Sequence, residues 1–265
     1  TTLFRSRMTK LNGGTPISDG PFRNGSMYLT YTNEGMPIGA FWGYKTDGLI
    51  QTQEQLNAVK RADFQPNAEL GDVLFVDTNG DGKLDSSDRC MIGNPIPDII
   101  YGINMGMAWK GFDLNLQFGG TIGNQIFNAM RYYTYFPNDI TNKDRALMNY
   151  WTPNNTNTDI PRLTATDVND NDRFSDMYVE NGTYFRLRNA QLGYTLPASL
   201  TQRIKLQKVR FYVSGQNLFT ISSYSGMDPE VGQSSSLSRG IDYGIYPQNI
   251  SFTGGINVTF RSEER

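Results

Sequence analysis

The chain contains no histidine. That absence removes the commonest general base and metal ligand. A His-based catalytic triad, a His-ligated zinc site and a haem held by histidine are therefore all excluded. A single cysteine, Cys90, permits no intrachain disulfide and no CxxC motif. With no histidine to activate it, its thiol reads as buried or incidental. Charge is sparse too: 19% of the 265 residues are charged and the formal net charge is −2. Nothing there argues for a nucleic-acid partner. There is no run of about eighteen apolar residues, hence no transmembrane helix. Strands of a membrane barrel would leave no such run, because they alternate. The opening TTLFRSRMTK is polar and lacks the apolar core of a signal peptide. It reads as mid-protein, so the chain is expected to be the C-terminal part of something longer.

What is present is glycine (27), tyrosine (15) and phenylalanine (15), a composition suited to a β-rich chain with many turns. Length allows one large all-β domain or two smaller ones. The clearest pattern is Ile250 to Phe260. Ile250, Phe252, Gly254, Ile256, Val258 and Phe260 share one face, and Ser251, Thr253, Gly255, Asn257 and Thr259 the other. Such period-two alternation marks a strand. About nine to eleven residues is also what a tilted strand needs to cross hydrocarbon, with its apolar face to lipid and its polar face to the lumen. A sandwich strand with one wet face has the same pattern.

The alternation recurs. Tyr101, Ile103, Met105, Met107 and Trp109 share a face; Lys110-Gly111 makes a tight turn; Phe112, Leu114, Leu116 and Phe118 then alternate with polar residues. This predicts a hairpin with aromatics at the turn end, where an interfacial girdle would sit. Tyr184–Leu196 and Val209–Phe219 are further strands, the first slipping register near Asn189 as a bulge would make it. Shorter candidates lie at Ser26–Thr32 and Gly71–Val76. Residues 1–25 read as loop with at most one short strand. Thr52–Ala62 has the first helical pattern, with Thr52 as its cap. Residues 121–182 form a long excursion with a helical piece at Arg145–Trp151, and 222–248 form a second polar loop. Short turns alternating with long loops fit an outer-membrane barrel. The expected fold is all-β: an antiparallel transmembrane β-barrel segment whose long outer loops carry short helices.

One motif has ligand spacing. Asp77 to Asp88, DTNGDGKLDSSD, fits a twelve-residue calcium loop. Asp77, Asn79 and Asp81 take positions one, three and five, and Gly82 the turn at six. Lys83 offers its carbonyl, Asp85 a water-mediated contact, and Asp88 stands where glutamate is usual. The ion expected is structural Ca2+, or Mg2+ with tighter octahedral geometry. The alternative is a solvated Asp/Gly turn without metal. Trp42 and the cluster Tyr132, Tyr133, Tyr135 and Phe136 can stack on sugar rings or meet a lid partner; a membrane girdle or a loop core would use the same residues.

Four blocks then agree in content and order: PIGAFWGYKTDG; GDVLFVDTNGDGKLDSSDRCMIGNPIPDIIYGINMGMAWKGFDLNLQFGGTIGNQIF; YFRLRNAQLGYTLP; and KVRFYVSGQNLFTISSYSGMDPEV. Over roughly residues 35–260 the chain resembles the C-terminal part of SusC/RagA-type TonB-dependent outer-membrane transporters. The resemblance implies a large plugged barrel in the outer membrane of a Gram-negative bacterium. It implies import of glycan or peptide fragments, closed by a SusD-like surface lipoprotein and driven by a TonB complex. The partners it implies are that lipoprotein, the TonB complex through an N-terminal part, the rest of the barrel and outer-membrane lipid. Neither plug nor TonB-contacting segment is visible in these residues, and Arg261–Arg265 follow Phe260, where family barrels commonly end. Two other readings compete: a secreted β-sandwich adhesin or glycan-binding module with a structural calcium, and, from DTNGDGKLDSSD alone, a dockerin-like module. No nucleophile–base pair is readable, so no enzyme is expected.

Overall fold

A computed structural model describes residues 2–3, 7–23, 25–135, 142–232 and 235–260. The strands are β1 (Thr2–Leu3), β2 (Ile17–Phe22), β3 (Met27–Thr32), β4 (Ala40–Gly43), β5 (Thr46–Leu49), β6 (Val73–Phe75), β7 (Cys90–Gly93) and β8 (Ile99–Trp109). They continue as β9 (Phe112–Ile122), β10 (Gln125–Asn128), β11 (Val179–Asn181), β12 (Tyr184–Thr195), β13 (Leu206–Ser222), β14 (Ile241–Asp242) and β15 (Ser251–Phe260). Helices α1 (Gln53–Arg61), α2 (Ala129–Tyr135) and α3 (Ala198–Thr201) are short.

The long strands build one wall in the order β1-β8-β9-β12-β13-β15, each pair antiparallel. The β8–β9 turn has Lys110 and Gly111 at φ 46° and 88°. Two successive positive values make the primed turn whose twist matches the strands. Register carries the sequence alternation straight across the wall. Trp109, Phe112, Tyr194, Phe211 and Ile256 form one row, and Met107, Leu114, Leu192, Val213 and Gly254 the next. Met105, Leu116, Ala190, Gly215 and Phe252 form a third. Behind them lie polar rows, for instance Gly106, Asn115, Gln191, Ser214 and Thr253.

The apolar face has no protein layer over it: Met107 is 65% and Phe252 78% exposed. A sandwich would bury that face against a second sheet, so the adhesin reading is set aside. The wall is an open sheet and not a closed barrel; among the described residues, β1 and β15 have no further strand beyond them. The register shift between Leu187 and Asn189 appears against both β9 and β13, where the sequence places a bulge.

The connections opposite the β8–β9 turn fold into a second unit with three small sheets: β2-β3-β4-β7, β11-β10-β14 and β5-β6. Here the structure corrects the sequence reading. Residues 1–25 contribute two strands, β1 and β2, where one at most was expected, and the 121–182 excursion contributes β10, α2 and β11 as well as a 3-10 turn at Arg145–Asn149. β10 even pairs in parallel with β14, Phe127 opposite Ile241. This unit owns the true core: Phe22, Leu29, Phe41, Phe127, Phe174, Tyr178 and Ile241 are all almost fully buried. Burial of each large side chain contributes about 1.5–3 kcal/mol. Helix α1 forms where expected, with Thr52 and Gln55 capping each other reciprocally and Leu56 turned inward.

Candidate functional site

On the polar face of the wall, arginines lie down where glycines make room. The Arg210 guanidinium rests on Gly193, the Tyr212 ring on Gly255, and Arg188 on Gly119. A Cβ at any of these glycines would collide with the side chain above it. Arg210 pairs with Asp113 through two contacts, one of them Nε donating to Oδ1 at 2.9 Å.

The densest charge cluster sits where β12 bulges. Arg186, only 2% exposed, donates from Nε to Thr220 (2.8 Å), and its terminal nitrogens donate to Glu230 (2.9 Å) and Asp228 (2.6 Å). Arg188 donates to the other oxygen of Glu230 at 3.0 Å and to the Tyr184 hydroxyl at 3.1 Å. The Asp228 carboxylate also accepts from the Glu230 and Gln248 amides. Burial pushes the Asp228 carboxyl up, but those amides and Arg186 outweigh it and hold the group below its ordinary value. Sequence reading passed over this cluster. Its signal was the pair of arginines two apart in FRLRN, in a strand otherwise apolar on alternate residues.

The Asp77–Asp88 loop lies between β6 and β7. Asp77 accepts from the Gly80 and Gly82 amides (2.6 and 2.8 Å), Asn79 from the Asp81 amide (2.9 Å), and Asp81 from the Lys83 amide (2.8 Å). The Gly82 amide, foremost, holds the Asp77 carboxyl below its usual range. Asp85 caps the Ser87 amide (2.7 Å), which lowers its carboxyl as well. Asp88 is fully buried and accepts from the Thr78 and Asp85 amides. Each carboxylate oxygen has a second lone pair, so these bonds leave acceptor capacity for a hard cation. As folded, however, no three Asp, Glu or Cys side chains among the described residues stand close enough together to hold a metal. In this arrangement the partners of these carboxylates are backbone amides of the same loop.

The aromatic candidates divide. Trp42 stacks on Tyr31, with centroids 4.6 Å apart, and its carbonyl accepts from Arg89 next to the Asp loop. Tyr132 is 5% exposed, packs on Phe22 and donates to Asp172. Its expected contact with cargo or a partner is corrected to a place in the core. Tyr133 is half-buried against the same Phe22, and Tyr135 is half-buried under Arg131. Phe136 lies outside the described residues. A cleft of about 440 Å3 opens beside β5 and α1. Three of its polar groups are engaged by neighbours: Thr46 with Asp176, Gln51 with Trp151, and Asp159 with Arg131.

An antiparallel wall with an uncovered apolar face of membrane-spanning length, aromatics by its short turn and elaborate connections at the other end defines a class: the wall of an outer-membrane-type β-barrel. The comparisons with known proteins narrow it. No family model matches the chain. The chain is 37% identical over 268 residues to TonB-dependent receptor P3 of Formosa agariphila, a match covering 97% of this chain and 26% of that protein. It is 29% identical over 198 residues to TonB-dependent receptor SusC of Bacteroides thetaiotaomicron, covering 74% and 18%. Among solved structures it resembles the RagAB peptide importer in its open-open state, with TM-score 0.68, 26% identity and coverage of 95% of this chain and 25% of that one. The RagAB peptide transporter gives 0.66, 25%, 87% and 23%. The chain belongs to the TonB-dependent receptors, of the SusC/RagA type. It spans about a fifth to a quarter of the length of the relatives it matches.

Proposed function

We propose that this chain is one sector of the wall and outer loops of a transporter in a Gram-negative outer membrane. That transporter imports nutrient oligomers, glycan or peptide fragments, with energy from a TonB complex acting through parts outside these residues. A SusD-like surface lipoprotein is the partner expected over the loop unit, and the remaining barrel strands are expected at the two open edges of the wall. The observation that carries the reading is the wall itself: one continuous apolar face with no protein over it, and one polar face laid with arginine, asparagine and glutamine. The relatives are named as receptors and transporters, which supports a role without catalysis. The test is uptake. Cells carrying the receptor should accumulate labelled oligosaccharide or peptide only with an intact TonB system. Accumulation that persists without TonB would sink the reading.

The Asp77–Asp88 loop is proposed as a structural calcium site. Its spacing and the residual acceptor capacity of Asp77, Asn79, Asp81 and Asp88 support it, with the Lys83 carbonyl and Asp85 completing the set. The ion would supply only charge compensation, fixing the loop beside Arg89 and the Trp42–Tyr31 stack. Trp42 and the half-buried Tyr133 and Tyr135 remain the proposed contacts for cargo or lipoprotein.

A further inference from the structure

The β12 bulge has a specific product. Arg186 faces the polar side, opposite Gly119; the extra residue, Arg188, lies over Gly119 on that same side; and Asn189, opposite Gln117, follows on it too. One inserted residue thus gives the polar face a second guanidinium, while Ala190, Leu192 and Tyr194 return to the apolar rows. Both guanidiniums hold segment 223–232, which follows the end of β13 and brings Asp228 and Glu230 against the polar face at the bulge.

We propose that segment 223–232 is a strap latched across the polar face in two tiers, and that it lifts when cargo passes. The lifting rests on the import reading above. The inner tier is Arg186 with Asp228. Both are almost fully buried, and separating them would leave an uncompensated charge inside the protein. The outer tier is Arg188 with Glu230, 43% and 35% exposed. Water can replace that partnership at small cost. Glu230 belongs to both tiers, since its second oxygen takes a hydrogen bond from Arg186. The strap's root is anchored elsewhere: Ser225 is held by Glu180 and Asn128 on the loop unit, and Tyr224 donates to Asp242. A segment fixed at its root and held along its length by an exposed ion pair is built to release at the outer pair first.

Glu230→Gln tests this in cells expressing the receptor that carries this sequence. Hydrogen exchange at the amides of 226–232 should speed up about tenfold, since one charged bond to a buried guanidinium is weakened and one ion pair is lost. Glu230→Asp should restore most of the protection. Ser214→Cys, further along the same polar face, is introduced together with Cys90→Ser as a reporter thiol. It should react faster with an external membrane-impermeant maleimide in the Glu230→Gln background. Unchanged exchange would overturn the latch. Faster exchange with unchanged labelling would overturn the covering role. Faster exchange throughout β8–β13 would overturn the two-tier division. Both readouts are independent of uptake. Loss of import in the unaltered receptor, with both changes still seen, would sink the import reading and leave the strap standing.

Discussion

Arginine substitutions on the two faces of β8 separate a lipid-facing wall from any other. Met105 and Asn104 are chain neighbours in the same strand, paired to Leu116 and Gln117. Met105 stands four residues from Trp109 in the aromatic row. At a tilt near 40°, four residues rise about 10 Å. That puts Met105 near the middle of an apolar band roughly 25 Å tall. Met105→Arg should therefore destabilise the folded receptor by about 2–4 kcal/mol, around a hundredfold in the folding equilibrium at the centre of that range. Asn104→Arg places the same charge on the wet face and should cost within about 0.5 kcal/mol. Trp109→Arg, at the interface, should cost about 0–1 kcal/mol for its charge, besides the lost ring. The assay is urea-induced unfolding of the receptor in phospholipid vesicles, followed by tryptophan fluorescence. Equal losses at Met105 and Asn104, or a larger loss at Asn104, would refute the face assignment and with it the membrane wall.

Three further outcomes are expected. If the Asp77–Asp88 loop binds calcium, terbium luminescence should titrate with it and be competed by calcium, and Asp81→Ala should abolish the signal while leaving the wall's exchange protection unchanged; a native loop with no lanthanide signal would leave a metal-free turn. Gly71 has φ 86°, and a Cβ there would run into the Trp151 ring, so Gly71→Ala should loosen the loop unit by about 2–4 kcal/mol, seen as faster proteolysis of residues 142–178 with the β8–β9 hairpin intact. Burial, foremost, raises the phenol values of Tyr132, Tyr178 and Tyr224, with Asp172 and Asp242 adding to the shift at Tyr132 and Tyr224. A raised folded-state value stabilises below the unfolded phenol value and is lost as pH rises beyond it. The loop unit should therefore hold up to about pH 10 and loosen above it, with the last tyrosines to ionise doing so together with faster amide exchange; complete tyrosinate absorbance without loosening would contradict the burial.

The wall was legible because its rules are local. Alternation, a Lys-Gly turn and a register slip at Asn189 each need only a dozen residues of context, and each stands where the sequence placed it. The loop unit was legible only in part: strands within Ser26–Thr32 and Gly71–Val76 and helix α1 stand where expected, and β2, β10, β11 and β14 have no such signal. Its strands run two to six residues, one carries Pro21, and several partners are far away: β10 finds β14 more than a hundred residues on. Pro21 is tolerated because β2 is an edge strand. The aromatic run at 132–135 has the composition of a recognition surface, yet helix α2 turns Tyr132 inward against Phe22. The strap's ion cluster joins residues 42 apart, a distance no spacing rule spans.

The glycines under Arg188, Arg210 and Tyr212 carry a consequence for passage. A guanidinium or phenol ring lying flat adds only its own thickness to the wall, about 3.5 Å. Were alanine to occupy Gly193 or Gly255, the ring or fork above would have to stand up. The polar face would then rise by about the length of a side chain, with its charge and hydrogen-bonding groups unchanged. The calibre of the polar side is thus written in residues that have no side chain. Under the proposed import function, two receptors with identical lining chemistry would differ in the girth they admit through a few glycine-to-alanine exchanges.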